Sequence, residues 1–152
     1  MQLYIWPLTS MLIAWCSIVS GCSALIKSPE VSVKGVSLSS VSLSTLSLDV
    51  TVLVNNPNSF GMTLKSLSFD VYYQNGNDWV YLSHGEKNGA KINSGENVMD
   101  IPVTVQNTGL IRSLAGFISS GEVTLQIRGI ARPDFLVIAP NVPFTYTTTI
   151  AL

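Results

Sequence analysis

The chain contains one histidine, His84, and two cysteines, Cys16 and Cys22. That scarcity removes most side-chain chemistry. A Ser-His-acid triad would have to use His84. It sits in His84-Gly85-Glu86-Lys87-Asn88-Gly89, a polar, glycine-containing stretch that reads as an exposed loop. A zinc site needs a set of nitrogen and sulfur ligands that this composition does not supply. Asp49, Asp70, Asp78 and Asp100 fall on separate strands or turns, without the spacing of a calcium loop. Gly85, Gly89 and Gly95 lack the strand–loop–helix setting of a phosphate cradle. No catalytic, cofactor or metal residue is assigned. Charge is scarce too: eight basic residues face nine acidic ones, for a net charge of −1. No basic stripe appears, which argues against nucleic acid as a partner and gives no polybasic patch for anionic lipid.

Long apolar runs are also missing. Met11–Val19 is apolar apart from Ser17, but it falls short of the roughly 20 residues that span a bilayer. Every charged side chain lies after residue 21. A short apolar run followed by a cluster of small residues reads as a removable signal peptide, although Met1–Ser10 lacks the Lys or Arg usual at its start; the other reading of the segment is an uncleaved anchor over about residues 3–20. Val19-Ser20-Gly21-Cys22 resembles the lipobox of bacterial lipoproteins. The resemblance implies thioether attachment of a diacylglyceryl group to Cys22, cleavage before it, and acylation of the new amine. Residues 1–21 are then the signal peptide and 22–30 a tether. Cys16 leaves with the signal, so Cys22 is the last cysteine and no internal disulfide can form. The expected location is the cell envelope, with the membrane as a partner through the lipid on Cys22. Ser23 after Cys22 goes with the outer membrane, facing the periplasm, if the source has two membranes.

What the mature part does have is alternation. Val31, Val33, then Val36, Leu38, Val41 and Leu43 are apolar with polar residues between, and Leu46, Leu48, Val50, Val52 and Val54 keep a strict period of two. Such spacing lines one face of a strand. A turn is expected near Ser39-Ser40 or Ser44-Thr45. Leu64, Leu67, Phe69, Val71 and Tyr73 lead through Asn75-Gly76 to Trp79–Leu82, a hairpin signature. Val98, Ile101, Val103 and Val105 mark another strand, with Pro102 expected at an edge or bulge. Leu110, Ile111, Leu114, Phe117 and Ile118 recur at helical spacing. Thr108 reads as the N-cap and Gly121 as the stop, with the apolar face expected to cover an open end of the sheets. Val123, Leu125 and Ile127 resume the strand period, Arg132–Pro143 reads as a proline-rich connection, and Phe144, Tyr146 and Thr148 form the last strand. The expected fold is all-β: a two-sheet antiparallel β-sandwich, fibronectin-III/immunoglobulin-like, of about seven strands with one short α-helix.

Asn55-Asn56-Pro57-Asn58 closes the most regular strand. Pro57 fixes its own φ and pushes Asn56 toward an extended shape, while the asparagine amides can bond nearby backbone groups in an Asx-type turn. The residues alone read as a rigid structural corner. Together with Leu64, Phe69-Asp70-Val71-Tyr72, His84-Gly85 as a small loop, Ile92-Asn93-Ser94-Gly95, Ile101–Val105 and Val142-Pro143-Phe144, the motif resembles the WHy domain. That domain (water stress and hypersensitive response) belongs with the folded, type 2 late embryogenesis abundant proteins. The resemblance covers residues 31–152. It implies a non-catalytic protein that protects proteins or membranes under desiccation, cold or other stress, with stress-unfolded proteins as partners. The alternative is an envelope interaction or assembly module that binds another envelope protein or an apolar ligand, with Phe135–Ala139 as one candidate surface.

Overall fold

The computed structural model describes residues 26–118, 121–134 and 140–151; the lipobox, Cys22 and Phe135–Ala139 lie outside the described residues. Seven strands and one helix follow in order: β1 (Glu30–Val41), β2 (Leu46–Asn56), β3 (Met62–Asn75), β4 (Asp78–Ile92), β5 (Gly95–Val105), α1 (Thr108–Ile118), β6 (Glu122–Pro133) and β7 (Val142–Ala151). They form a three-stranded sheet in the order β1-β2-β5 and a four-stranded sheet in the order β4-β3-β6-β7, with every pairing antiparallel. This is the expected sandwich. Its core comes from the inward residues of both sheets, among them Leu48, Val50, Val52, Val54, Phe69, Ile101, Leu125 and Ile127.

The alternation also records where the strands slip. In β1 the apolar residues change parity between Val33 and Val36, and the register with β2 shifts between Val33 and Gly35. In β3 the parity changes between Leu64 and Leu67, where the pairing with β6 shifts between Leu64 and Ser66. An extra residue in one strand flips the side chains beyond it, so a parity change is the sequence trace of a bulge. The alternation does not extend through Leu43. A turn at Ser42–Thr45, one of the two expected places, joins β1 to β2, and Leu43 at its tip is 94% exposed. Val98 likewise points outward while Ile101, Val103 and Val105 point in. Pro102 lies on β5, an edge strand, one of the two settings expected for it.

Three expectations need correction. His84–Gly89 is not a loop: β4 runs unbroken to Ile92. Between Leu82 and Ile92 its buried positions are Gly85 and Ala90, too small to show as a hydrophobic period. The helix is capped one residue earlier than expected, because Asn107 Oδ1 accepts from the backbone N–H of Gly109 at 3.0 Å and of Leu110 at 3.2 Å. The connection expected from Arg132 starts later, since β6 continues to Pro133. Gly121 does mark the exit from the helix with φ 86°. Leu114 of α1 is buried in the common core and lines a small apolar cavity with Leu38, Leu46, Leu82 and Ile150 from both sheets, so α1 covers one end of the sandwich, as its amphipathic spacing implies.

Inside the four-stranded sheet, one row alternates glycine and phenylalanine. Phe69 pairs with Gly85 on β4 and Gly129 on β6, and Gly129 pairs with Phe144 on β7. The Phe69 ring occupies the space over Gly85, and the Phe144 ring the space over Gly129. Glycines in strands cost entropy; here each is covered by a neighbouring ring, which restores the buried surface.

Candidate functional site

The Asn55–Asn58 motif lies where the chain leaves β2 and crosses to the opposite sheet. Asn56 and Asn58 are 1% and 5% exposed, the buried polar side chains of the described residues. Burying an amide is costly unless each of its donors and acceptors is met. Asn56 Oδ1 accepts from the Asn58 backbone N–H at 3.0 Å, the Asx-type turn expected from the sequence, and from Asn58 Nδ2 at 2.9 Å. Asn56 Nδ2 donates to the carbonyls of Phe60 at 2.8 Å and Asn93 at 3.2 Å. Asn58 faces the other way. Its Oδ1 accepts from Lys27 N–H at 2.8 Å, and its Nδ2 donates to Lys27 O at 2.7 Å. The side-chain amide thus pairs with Lys27 as a neighbouring strand would. Ser94 Oγ donates to Asn58 O at 2.6 Å. No buried polar side-chain atom among the described residues lacks a partner.

Asn55 and Pro57 play different parts. Asn55 sits half-buried in the ladder between Glu30 and Glu96, and Pro57 is exposed at the start of the crossing. Asn97 completes the region: its Oδ1 accepts from Asn93 N–H at 2.9 Å, and its Nδ2 donates to the carbonyls of Asn93 at 2.9 Å and Gly95 at 3.0 Å. The motif therefore ties three segments together: the incoming chain at Lys27, the β2–β3 crossing, and the β4–β5 turn. Asn93 and Asn97 flanking a glycine turn were a usable sign of the last of these. Nothing in the sequence signals Lys27, which is 31 residues from its partner.

A second cluster lies on the outer face of the four-stranded sheet. Tyr72 and Tyr81 are cross-strand partners with their rings edge to face at 5.9 Å. The Arg128 guanidinium lies 4.8 Å from the centre of the Tyr72 ring, within the range of a cation–π contact. One row further along, His84 Nδ1 and Asp70 Oδ1 are 2.8 Å apart, each side chain close to half exposed. The sole histidine thus has a carboxylate partner, set by strand register. An exposed pair of this kind contributes little to stability. No group of three or more His, Cys, Asp or Glu side chains among the described residues could hold a metal, and no helix among them is long and apolar enough to cross a membrane.

Residues 51–147 match the family model described as late embryogenesis abundant protein. An uncharacterized protein of Methanocaldococcus jannaschii is 32% identical over 123 residues, covering 81% of this chain and 70% of that protein. The solution structure of AT1g01470 from Arabidopsis thaliana superposes with a TM-score of 0.68 at 21% identity, covering 89% of each chain. A crystal structure of a protein from Archaeoglobus fulgidus gives 0.54 at 13% identity, covering 80% of this chain and 98% of that one. At these identities the two structures speak for the fold.

Proposed function

This chain belongs to the late embryogenesis abundant family, and from that premise we propose that it is a non-catalytic, lipid-anchored envelope protein that protects proteins or membranes under desiccation, cold or other stress. The observation that carries the reading is the extent of the family match. It runs from Thr51, at the start of the segment that ends in Asn55–Asn58, past Val142-Pro143-Phe144 to Thr147. The same segments carry the buried corner and the closing strand of the sandwich.

The surface suits such a role. Thr145, Thr147 and Thr149 alternate along one face of β7. Thr149 is bonded across to Thr124 and Thr147 to Gln126. Hydroxyl and amide groups in this density hold water and leave no apolar patch along this strand, so it offers sticky chains little to adhere to. Lipid on Cys22 would concentrate the shield at a membrane: two or more acyl chains, at roughly 0.8 kcal/mol per buried methylene, hold where one chain is marginal.

The test is a freeze–thaw assay. A freeze-labile enzyme mixed with an equimolar amount of the purified protein is expected to keep more activity than it does with the same mass of an inert globular protein. Equal residual activity would contradict the protective reading and favour the interaction module, for which the exposed Tyr81 beside Tyr72 and Arg128 is the candidate contact.

A further inference from the structure

The two ends of the sandwich differ in what reaches them. One end carries α1, the β1–β2 turn with Leu43, and the β3–β4 turn. At the other end the chain enters at Lys27, β2 crosses to β3 through Asn58 and Phe60, β4 turns into β5, and β6 ends. Strand β2 runs from the first end to the second. Its eleven residues separate the two by roughly 33 Å.

Exposed apolar side chains occur at both ends. Leu43 is 94% exposed at the helix end; Phe60 and Ile26 are 46% and 56% exposed at the entry end. Exposure alone would therefore select the helix end as the sticky one. The tether selects the other. The four peptide units from Cys22 to Ile26 reach at most about 14 Å. Lys27 cannot swing out to lengthen that reach, because both its N–H and its carbonyl are held by the buried Asn58 amide. Pro29 behind it is buried. Phe60 is fixed to the same unit through its own carbonyl, which accepts from Asn56 Nδ2. A lipid on Cys22 thus brings Phe60 and Ile26 to the bilayer surface and leaves Leu43 out of reach.

We propose that the Phe60–Ile26 end is a lipid-docking surface: Phe60 and Ile26 enter the interfacial layer of the bilayer that holds the anchor, and α1 points away from it. This rests on the reading of Cys22 as lipidated. Apolar side chains such as Phe sink to the boundary between headgroups and acyl chains, and an inserted ring turns a flexible attachment into a fixed orientation. The outer face of the four-stranded sheet, which carries both the tyrosine–arginine cluster and the threonines, then stands beside the membrane, open to partners.

The experiment uses the mature lipoprotein reconstituted in phosphatidylcholine/phosphatidylglycerol vesicles that carry nitroxide-labelled lipid. An environment-sensitive fluorophore is placed at Ser59→Cys, beside Phe60, or at Ser44→Cys, beside Leu43. The Ser59 probe is expected to shift to the blue and to be quenched several-fold more than the Ser44 probe. Adding Phe60→Ser and Ile26→Ser should return it toward the water value. An acylated protein whose Ser59 probe is no more quenched than the Ser44 probe overturns the orientation while leaving the anchor intact. Intact mass reads the anchor separately: a chain without acyl groups, labelled at Cys22 as well, overturns both.

Discussion

Gly129→Ala is expected to destabilise the domain by about 3 kcal/mol, the upper part of the range for overpacking a core. A Cβ at Gly129 would meet the Phe144 ring and lie 2.7 Å from Phe69 Cβ. The ring can rotate away. The Phe69 Cβ cannot, because it is fixed to the backbone of the neighbouring strand. Gly129 is on β6, an interior strand of its sheet, so the backbone has little freedom to retreat. Gly85→Ala, on the edge strand β4, brings a Cβ to 2.6 Å from Phe69 Cε2 and 2.9 Å from Val103 Cγ2. Its cost should be somewhat smaller, since an edge strand can give. Thermal unfolding checks both. For a domain of this size 3 kcal/mol corresponds to a drop in Tm of roughly 10 °C. Phe144→Leu added to Gly129→Ala should recover part of the loss, with a coupling above about 0.5 kcal/mol. A Gly129→Ala protein that melts with the wild type would show that the glycine–phenylalanine row is not close-packed.

Asn56→Ala is expected to cost about 3 kcal/mol as well, by the opposite mechanism. Nothing clashes; instead the partners of a buried amide are stranded. The Asn58 N–H and one Nδ2 hydrogen lose their acceptor, and the Phe60 carbonyl loses its donor, while the Asn93 carbonyl keeps Asn97 Nδ2 and Asn58 Nδ2 keeps the Lys27 carbonyl. Leaving a buried polar group unmet costs about 1–3 kcal/mol, and water can reach only some of the three groups left short. Asn58→Ala also releases Lys27. Because the two asparagines share a bond, the double variant should cost less than the sum of the singles. Pro57→Ala is the control: Pro57 is exposed, and its loss acts mainly through the unfolded chain, by under about 1 kcal/mol. Denaturant titration orders the three. If Asn56→Ala costs no more than Pro57→Ala, the corner is not held by its amides.

These two variants also mark where the sequence was legible. β2 was plain because its inward residues from Leu46 to Val54 are all Leu or Val and its outward ones mostly polar. The bulges in β1 and β3 were written in the parity of Val33 and Val36, and of Leu64 and Leu67. The stretch of β4 between Leu82 and Ile92 was hidden for a physical reason: its buried positions are Gly85 and Ala90, and His84, Glu86 and Asn88 between and beside them are exposed and polar. A strand whose core contribution is the space it leaves for Phe69 carries no hydrophobic signal. The Asx turn of Asn56 with Asn58 is local, so it could be read. The bond from Asn58 to Lys27 and the pairing of His84 with Asp70 depend on register and closure, which no short-range pattern encodes. For the same reason the polar segment Lys27–Glu30 read as tether, although Lys27 and Pro29 are already part of the folded unit.

If this folded domain works from a membrane through Cys22, the mature N-terminus carries the proof in its mass. Protein isolated from cells should begin at Cys22 and carry the mass of a diacylglyceryl group and an amide-linked acyl chain. Cys22→Ala should abolish both the acylation and the cleavage. An unacylated chain, or one whose N-terminus and mass are unchanged by Cys22→Ala, would contradict it.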